Sequence, residues 1–308
     1  MSKPVWCSTR QTLFLLPVAW LVQPASADAA SAIPNFSGTW ARNAFNFEPP
    51  ASGPGPIANL RRVGEDASRY IMGGDPVPLV GDYKNPILKP ETAAIVKRMG
   101  EFSASGHDIP DPSNQCAAYS PPYLLQMQQR VQIFQLSDHI IFIYSQDDQV
   151  RRVRLNGSHP AHVTPTPMGD AVAHYEGDTL VVDTVGIKLM PYTVVDRYGT
   201  PQSEAMHVVE RYRLIDADEA SAAQDRQEKI AGRLGGKEGN TSFDPESKKG
   251  LQIQVIIDDP NIFTAPWSAN VTFRPTLVPW DERICAENNT EVLHQGFEHV
   301  PTADKPDF

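Results

Sequence analysis

Residues 205–215, AMHVVERYRLI, alternate as a strand would, sorting side chains onto two faces. His207, Val209, Arg211 and Arg213 share one face; Met206, Val208, Glu210 and Tyr212 share the other. His207 is the leading acid–base candidate, because an unperturbed imidazole titrates near neutral pH. Arg211 lies four residues on, roughly 13 Å along a strand, so the two cannot touch but could flank one extended ligand.

A second candidate is Asp183 in TLVVDTVG (179–186), where a carboxylate among apolar residues is either paired or functional. Asp183 or Glu210 would serve as a second proton carrier. Arg151 and Arg152 are adjacent and point opposite ways on a strand, so one of them faces inward, either to pair with Asp183 or to clamp an anion or carbonyl. Arg151 or Arg211 would polarise a substrate oxygen. Asp196 and Glu204 are loop carboxylates that could orient His207. Tyr144 and Tyr212 are substrate-binding candidates. With Trp40, Trp267, Trp280, Tyr175 and Phe134 they form an aromatic supply for an apolar pocket or an ordinary core. His159 and His162 in HPAH raise the question of a metal, but Pro160 spoils the helical spacing and no HExxH occurs. No metal or cofactor is expected. A GxSxG elbow, a P-loop, a GxGxxG fingerprint and an EF-hand loop are all absent, which disfavours serine-hydrolase, nucleotide and calcium-sensor chemistry.

These residues must be positioned by strands. From Val131 the apolar pattern has period two: VQIFQL, HIIFIYS, QVRRVRL, AVAHY, TLVVDTVG, AMHVVERYRLI, LQIQVIID and WSANVTFRP follow one another. About eight strands in order predict an antiparallel meander, closed into a lipocalin-like barrel or folded as a sandwich, since open edges invite aggregation. Inward residues of such a barrel would line a pocket. The core region is 131–290. Residues 28–130 read as a Pro-rich wrapping arm with a first strand in NFSGTW (35–40) and a short helix from Pro90. Residues 217–250 read as a helical, charged insertion, either a surface excursion or a lid over one barrel mouth. Residues 291–308 form a tail.

The N-terminus reads as a signal peptide: Lys3 and Arg10, then the apolar run 12–22, then Ala25-Ser26-Ala27 as a cleavage site. The protein is therefore expected to be periplasmic or secreted, with no membrane span after cleavage. Export leaves Cys116 and Cys285, an even pair suited to one disulfide closing a long loop, worth roughly 4–5 kcal/mol. The full chain has 308 residues, 27 Lys plus Arg and 37 Asp plus Glu, a net charge of -10. That acidity makes nucleic acid a poor partner.

Five segments resemble a family of exported bacterial proteins of mostly unassigned function: QDDQVRRVRLNGSHP (146–160), YEGDTLVVDTVGI (175–187), DRYGTPQSEAMHVVERYRLIDAD (196–218), IDDPNIFTAPW (257–267) and CAENN (285–289). FSGTW (36–40) is similar to the GxW opening of lipocalin-like barrels. Members of the family carry a His near Asp170, another near Gln202, and a short turn after Asp216. This chain has neither His and carries the insertion, which implies altered chemistry. The expected function is cofactor-independent acid–base catalysis, as a lyase, isomerase or cyclase, on a small, largely apolar organic molecule. A non-catalytic carrier and a structural envelope protein are the alternatives.

Overall fold

The computed structural model describes Met1 and residues 33–42, 46–60, 78–127, 130–231, 242–282 and 284–285. The expected signal peptide and C-terminal tail lie outside these residues. The protein is mainly β, and nine strands close into a barrel in sequence order. They are β1 (Gly38–Ala41), β2 (Arg130–Gln135), β3 (His139–Tyr144), β4 (Gln149–Leu155), β5 (Asp170–Glu176), β6 (Thr179–Val185), β7 (His207–Asp216), β8 (Lys249–Asp258) and β9 (Trp267–Pro275). Closure pairs β9 with β1, at Trp40↔Pro275 and Ala41↔Arg274, so among the described strands no edge of the barrel is left open. The helices are α1 (Pro90–Ala104), α2 (Tyr123–Gln126) and α3 (Ala217–Ala231).

One pairing departs from the expected antiparallel meander. Strands β4 and β5 run parallel, with Arg154 opposite Val172 and Leu155 opposite Ala173. A parallel pair cannot be joined by a tight turn. Residues 156–169 must return along the barrel before β5 begins, and they do so over the outer wall. There Thr166 bridges Ile187, and Gly186 lies against Val163.

The period-two pattern decides what the barrel contains. Inward residues Ile140, Val153, Leu180, Val182, Val208 and Val255 are all 0% exposed. A side chain at zero exposure touches no water-sized space, so this part of the interior is packed solid. Those six inward side chains pack against one another and line no cavity.

The arm belongs to the same core. Ile57, Leu88, Val96, Tyr119, Tyr123 and Leu125 pack in one cluster with the barrel residues. The described part of the insertion packs against the barrel. Helix α3 buries Ala220, Ala223, Gln224 and Gln227. Gln224 donates to the carbonyls of Ala41 and Thr272 on the outside of β1 and β9, and Ala220 packs where Gly250 leaves room. Cys116 and Cys285 form the expected disulfide, with Cα atoms 5.4 Å apart. None of the helices among the described residues is long and apolar enough to cross a membrane.

Candidate functional site

His207 and Asp183 meet on the outer wall. Their strands pair with Asp183 opposite Val209, and both side chains point away from the core. His207 Nε2 lies 2.9 Å from Asp183 Oδ1; the side chains are 41% and 37% exposed. The same carboxylate oxygen contacts a second imidazole, His159 Nε2, at 3.1 Å. His159 Nδ1 in turn lies 2.6 Å from Asp170 Oδ1. Arg154 grips Asp170 with both terminal nitrogens, at 2.8 and 2.9 Å. That guanidinium holds the Asp170 carboxyl below the usual carboxylate range, with partial burial opposing and His159 helping. The result is a line of alternating basic and acidic side chains, from β4, β5, β6 and β7 and from the segment between β4 and β5: Arg154, Asp170, His159, Asp183, His207. Among the described residues His207 Nδ1 has no hydrogen-bond partner, so one ring nitrogen is oriented and the other is open.

A groove of about 630 Å³ lies further along the same wall; its lining includes none of these five residues and comes nearest to them at Val185. Val163, Pro165, Val185, Ile187 and Leu189 give it apolar walls, and Lys188 and Glu204 supply one charge of each sign. The β6–β7 register sets Thr184 opposite Val208, so the next outward residues along, Val185 and His207, are neighbours. Two glycines allow close packing on this wall, Gly186 in the groove lining and Gly169 against Thr184, Val185 and Ile187. Gly186 has φ +64° and Gly169 has φ +70°, values that favour glycine, and a Cβ on either would collide with its surroundings.

The other predicted residues fall elsewhere. Glu210, Arg151, Tyr212 and Tyr144 sit inside the barrel, at 0%, 1%, 1% and 3% exposure. Arg151 donates to both Glu210 oxygens, at 3.0 and 2.7 Å, and to Thr184 Oγ1 at 2.7 Å; the Tyr212 hydroxyl also donates to Glu210. Burial alone would lower the Arg151 pKa, but the Glu210 carboxylate, with Tyr144 and Tyr212 adding, more than offsets it and raises the pKa above its ordinary value. Burial pushes the Tyr144 phenol up to about 12, with Arg151 opposing and Glu210 adding. Among the described residues the expected Asp183–Arg pair does not form: Arg151 belongs to Glu210, and Asp183 is taken by His159 and His207. Glu210 is therefore no second proton carrier for His207; the barrel wall separates them. Arg211 lies on the outer wall, bonded to Glu176 at 2.7 Å. It lines a shallow polar depression of about 310 Å³ with Arg213, Gln252 and Gln254. Asp196 is buried and accepts the backbone N–H groups of Tyr198 and Thr200, capping its own loop rather than orienting His207. Among the described residues no group of three His, Cys, Asp or Glu side chains could hold a metal ion.

Sequence reasoning missed His159, Asp170 and Arg154 as partners of this site. The available signal was the 156–169 connection, too long for a hairpin and carrying two histidines between apolar strands. Comparison with protein-family models, curated proteins and solved structures finds no match for this chain.

Proposed function

We propose that the chain is an exported protein that performs cofactor-independent proton transfer, as a lyase or isomerase, on a small, largely apolar molecule bound in the outer groove. The observation that supports this reading is the His207–Asp183 pair beside that groove, with one imidazole nitrogen tied to a carboxylate and the other open. A carboxylate on Nε2 fixes the ring's orientation and tautomer, and stabilises the imidazolium formed when Nδ1 takes a proton. The apolar walls would hold the body of the substrate, and Lys188 would stabilise an oxygen on which negative charge develops. Glu204 takes the role of second proton carrier that Glu210 cannot fill. The proposed site is on the outer wall, whereas Arg151 and Glu210 are buried inside the barrel.

The test has two stages. The purified protein is screened for retained small molecules by native mass spectrometry. Each molecule found is then incubated with wild-type protein and His207→Ala in deuterated water. Acid–base catalysis incorporates deuterium or transforms the molecule, and the loss in His207→Ala should be on the order of 10²–10⁴-fold. Equal rates for the two proteins remove His207 from the role. Retention without exchange or turnover leaves a carrier.

A further inference from the structure

We infer that His159 is a positioning residue, holding Asp183 in place for His207, so that the return segment 156–169 is part of the site and not only a connection. This rests on the reading of His207 as the proton carrier. The geometry is specific. His159 lies between two carboxylates, with Nδ1 2.6 Å from Asp170 and Nε2 3.1 Å from Asp183. Carboxylates only accept, so both contacts are hydrogen bonds only when both ring nitrogens carry a proton. In that form His159 places a positive group against Asp183 from one side while His207 donates from the other.

The segment carrying His159 is itself fixed. Arg154 donates to Asp170 and also to the carbonyl of Ser158, the residue before His159, at 3.3 Å. Further on, Thr166 N donates to Gly186 O at 3.2 Å and Lys188 N donates to Thr166 O at 2.8 Å. These bonds suffice to tether the segment at both ends. The additional reach of His159 Nε2 to a 37%-exposed carboxylate shared with His207 is what a tether alone does not require. The charged and titratable groups around it are Arg154 on β4, Asp170 on β5, Asp183 on β6 and His207 on β7. Asp258 on β8 stands opposite His207 in the register.

Nitrogen-15 NMR of the His207 ring tests this without any substrate. With Asp183 held in place, neutral His207 carries its proton on Nε2 as one dominant tautomer. The Asn side chain can place an amide nitrogen where Nδ1 stood and reach only Asp170; Gln can place one where Nε2 stood and reach Asp183. His159→Asn should therefore shift His207 to a mixture of tautomers, and His159→Gln should restore the single form. An unchanged His207 spectrum in His159→Asn, or equal shifts in both variants, overturns the inference and leaves His159 a tether. If His159→Asn does not fold, Asp170→Asn, which weakens the other anchor of His159, should produce the same mixture, and a wild-type spectrum there is equally fatal. If a groove reaction is found, His159→Asn should lower kcat at unchanged KM. Absence of any reaction in the wild type defeats the acid–base reading, while the spectrum still decides the positioning role.

Discussion

Replacing Glu210 with Gln tests the account of the barrel interior. Glu210 is 0% exposed and receives three donors: two Arg151 nitrogens and the Tyr212 hydroxyl. Gln keeps the volume but turns one acceptor oxygen into a donor that faces other donors. One charge-assisted bond is lost, and the Arg151 guanidinium, 1% exposed, stays buried without its counter-charge. Breaking a buried pair from one side costs about 3–5 kcal/mol, a large part of the roughly 5–15 kcal/mol that holds a typical domain folded. Removing both partners removes the penalty. Arg151→Met with Glu210→Leu should be neutral or stabilising, by as much as about 4 kcal/mol. The assay is urea unfolding of each variant with the disulfide intact, followed by tryptophan fluorescence, with the midpoint and slope both fitted. The single variant should lower the midpoint at constant slope and the double variant should recover it. A cost below about 1 kcal/mol for Glu210→Gln, or a double variant as weak as the single, would refute the view that the pair is a packed, mutually compensating core element.

Other consequences follow from particular contacts. Burial raises the Asp196 carboxyl to about 6, above its ordinary 3.8. Its protonated form is thus favoured by folding, and stability should fall as pH rises from about 4 through 6, then level off. The cost above that window is about 3 kcal/mol, and Asp196→Asn should abolish this slope and stabilise the protein at pH 8 in thermal melts. Gly177 and Gly186 both have positive φ, +62° and +64°, but only at Gly186 would a Cβ collide with Val163. Gly177→Ala should cost about 1–2 kcal/mol, whereas Gly186→Ala should cost more and loosen the 156–169 segment in hydrogen exchange. Reducing the Cys116–Cys285 bridge, which spans 169 residues, should cost about 5 kcal/mol in urea unfolding. Arg42 is fully buried and donates to the carbonyls of Leu125, Gln126 and Asn46 and to Gln227 Oε1, so Arg42→Lys, with one nitrogen in place of a fork, should cost about 2–3 kcal/mol by the same measurement.

Much of the barrel was legible from the chain alone, because a strand's two-residue period is a local property. VQIFQL, HIIFIYS and the later runs had to bury alternate residues, and short polar turns between them favoured pairing with the next run. The same alternation put Glu210 and His207 on opposite faces of β7, and Arg151 and Arg152 on opposite faces of β4. With Cys7 in the expected signal peptide, Cys116 and Cys285 left one intramolecular pairing. Period two says nothing about which face looks inward when both carry charge, nor about the direction of the strand after a long loop. Those were settled by closure: the barrel took the Val208–Glu210–Tyr212 face inside, where Arg151 could neutralise the carboxylate, and left His207 outside. The parallel β4–β5 pairing then forced residues 156–169 back across the outer wall, and that path alone brought His159 over Asp170 and Asp183. The two contacts of Asp183, each between residues 24 apart in sequence, depend on register and crossover, quantities no local pattern encodes.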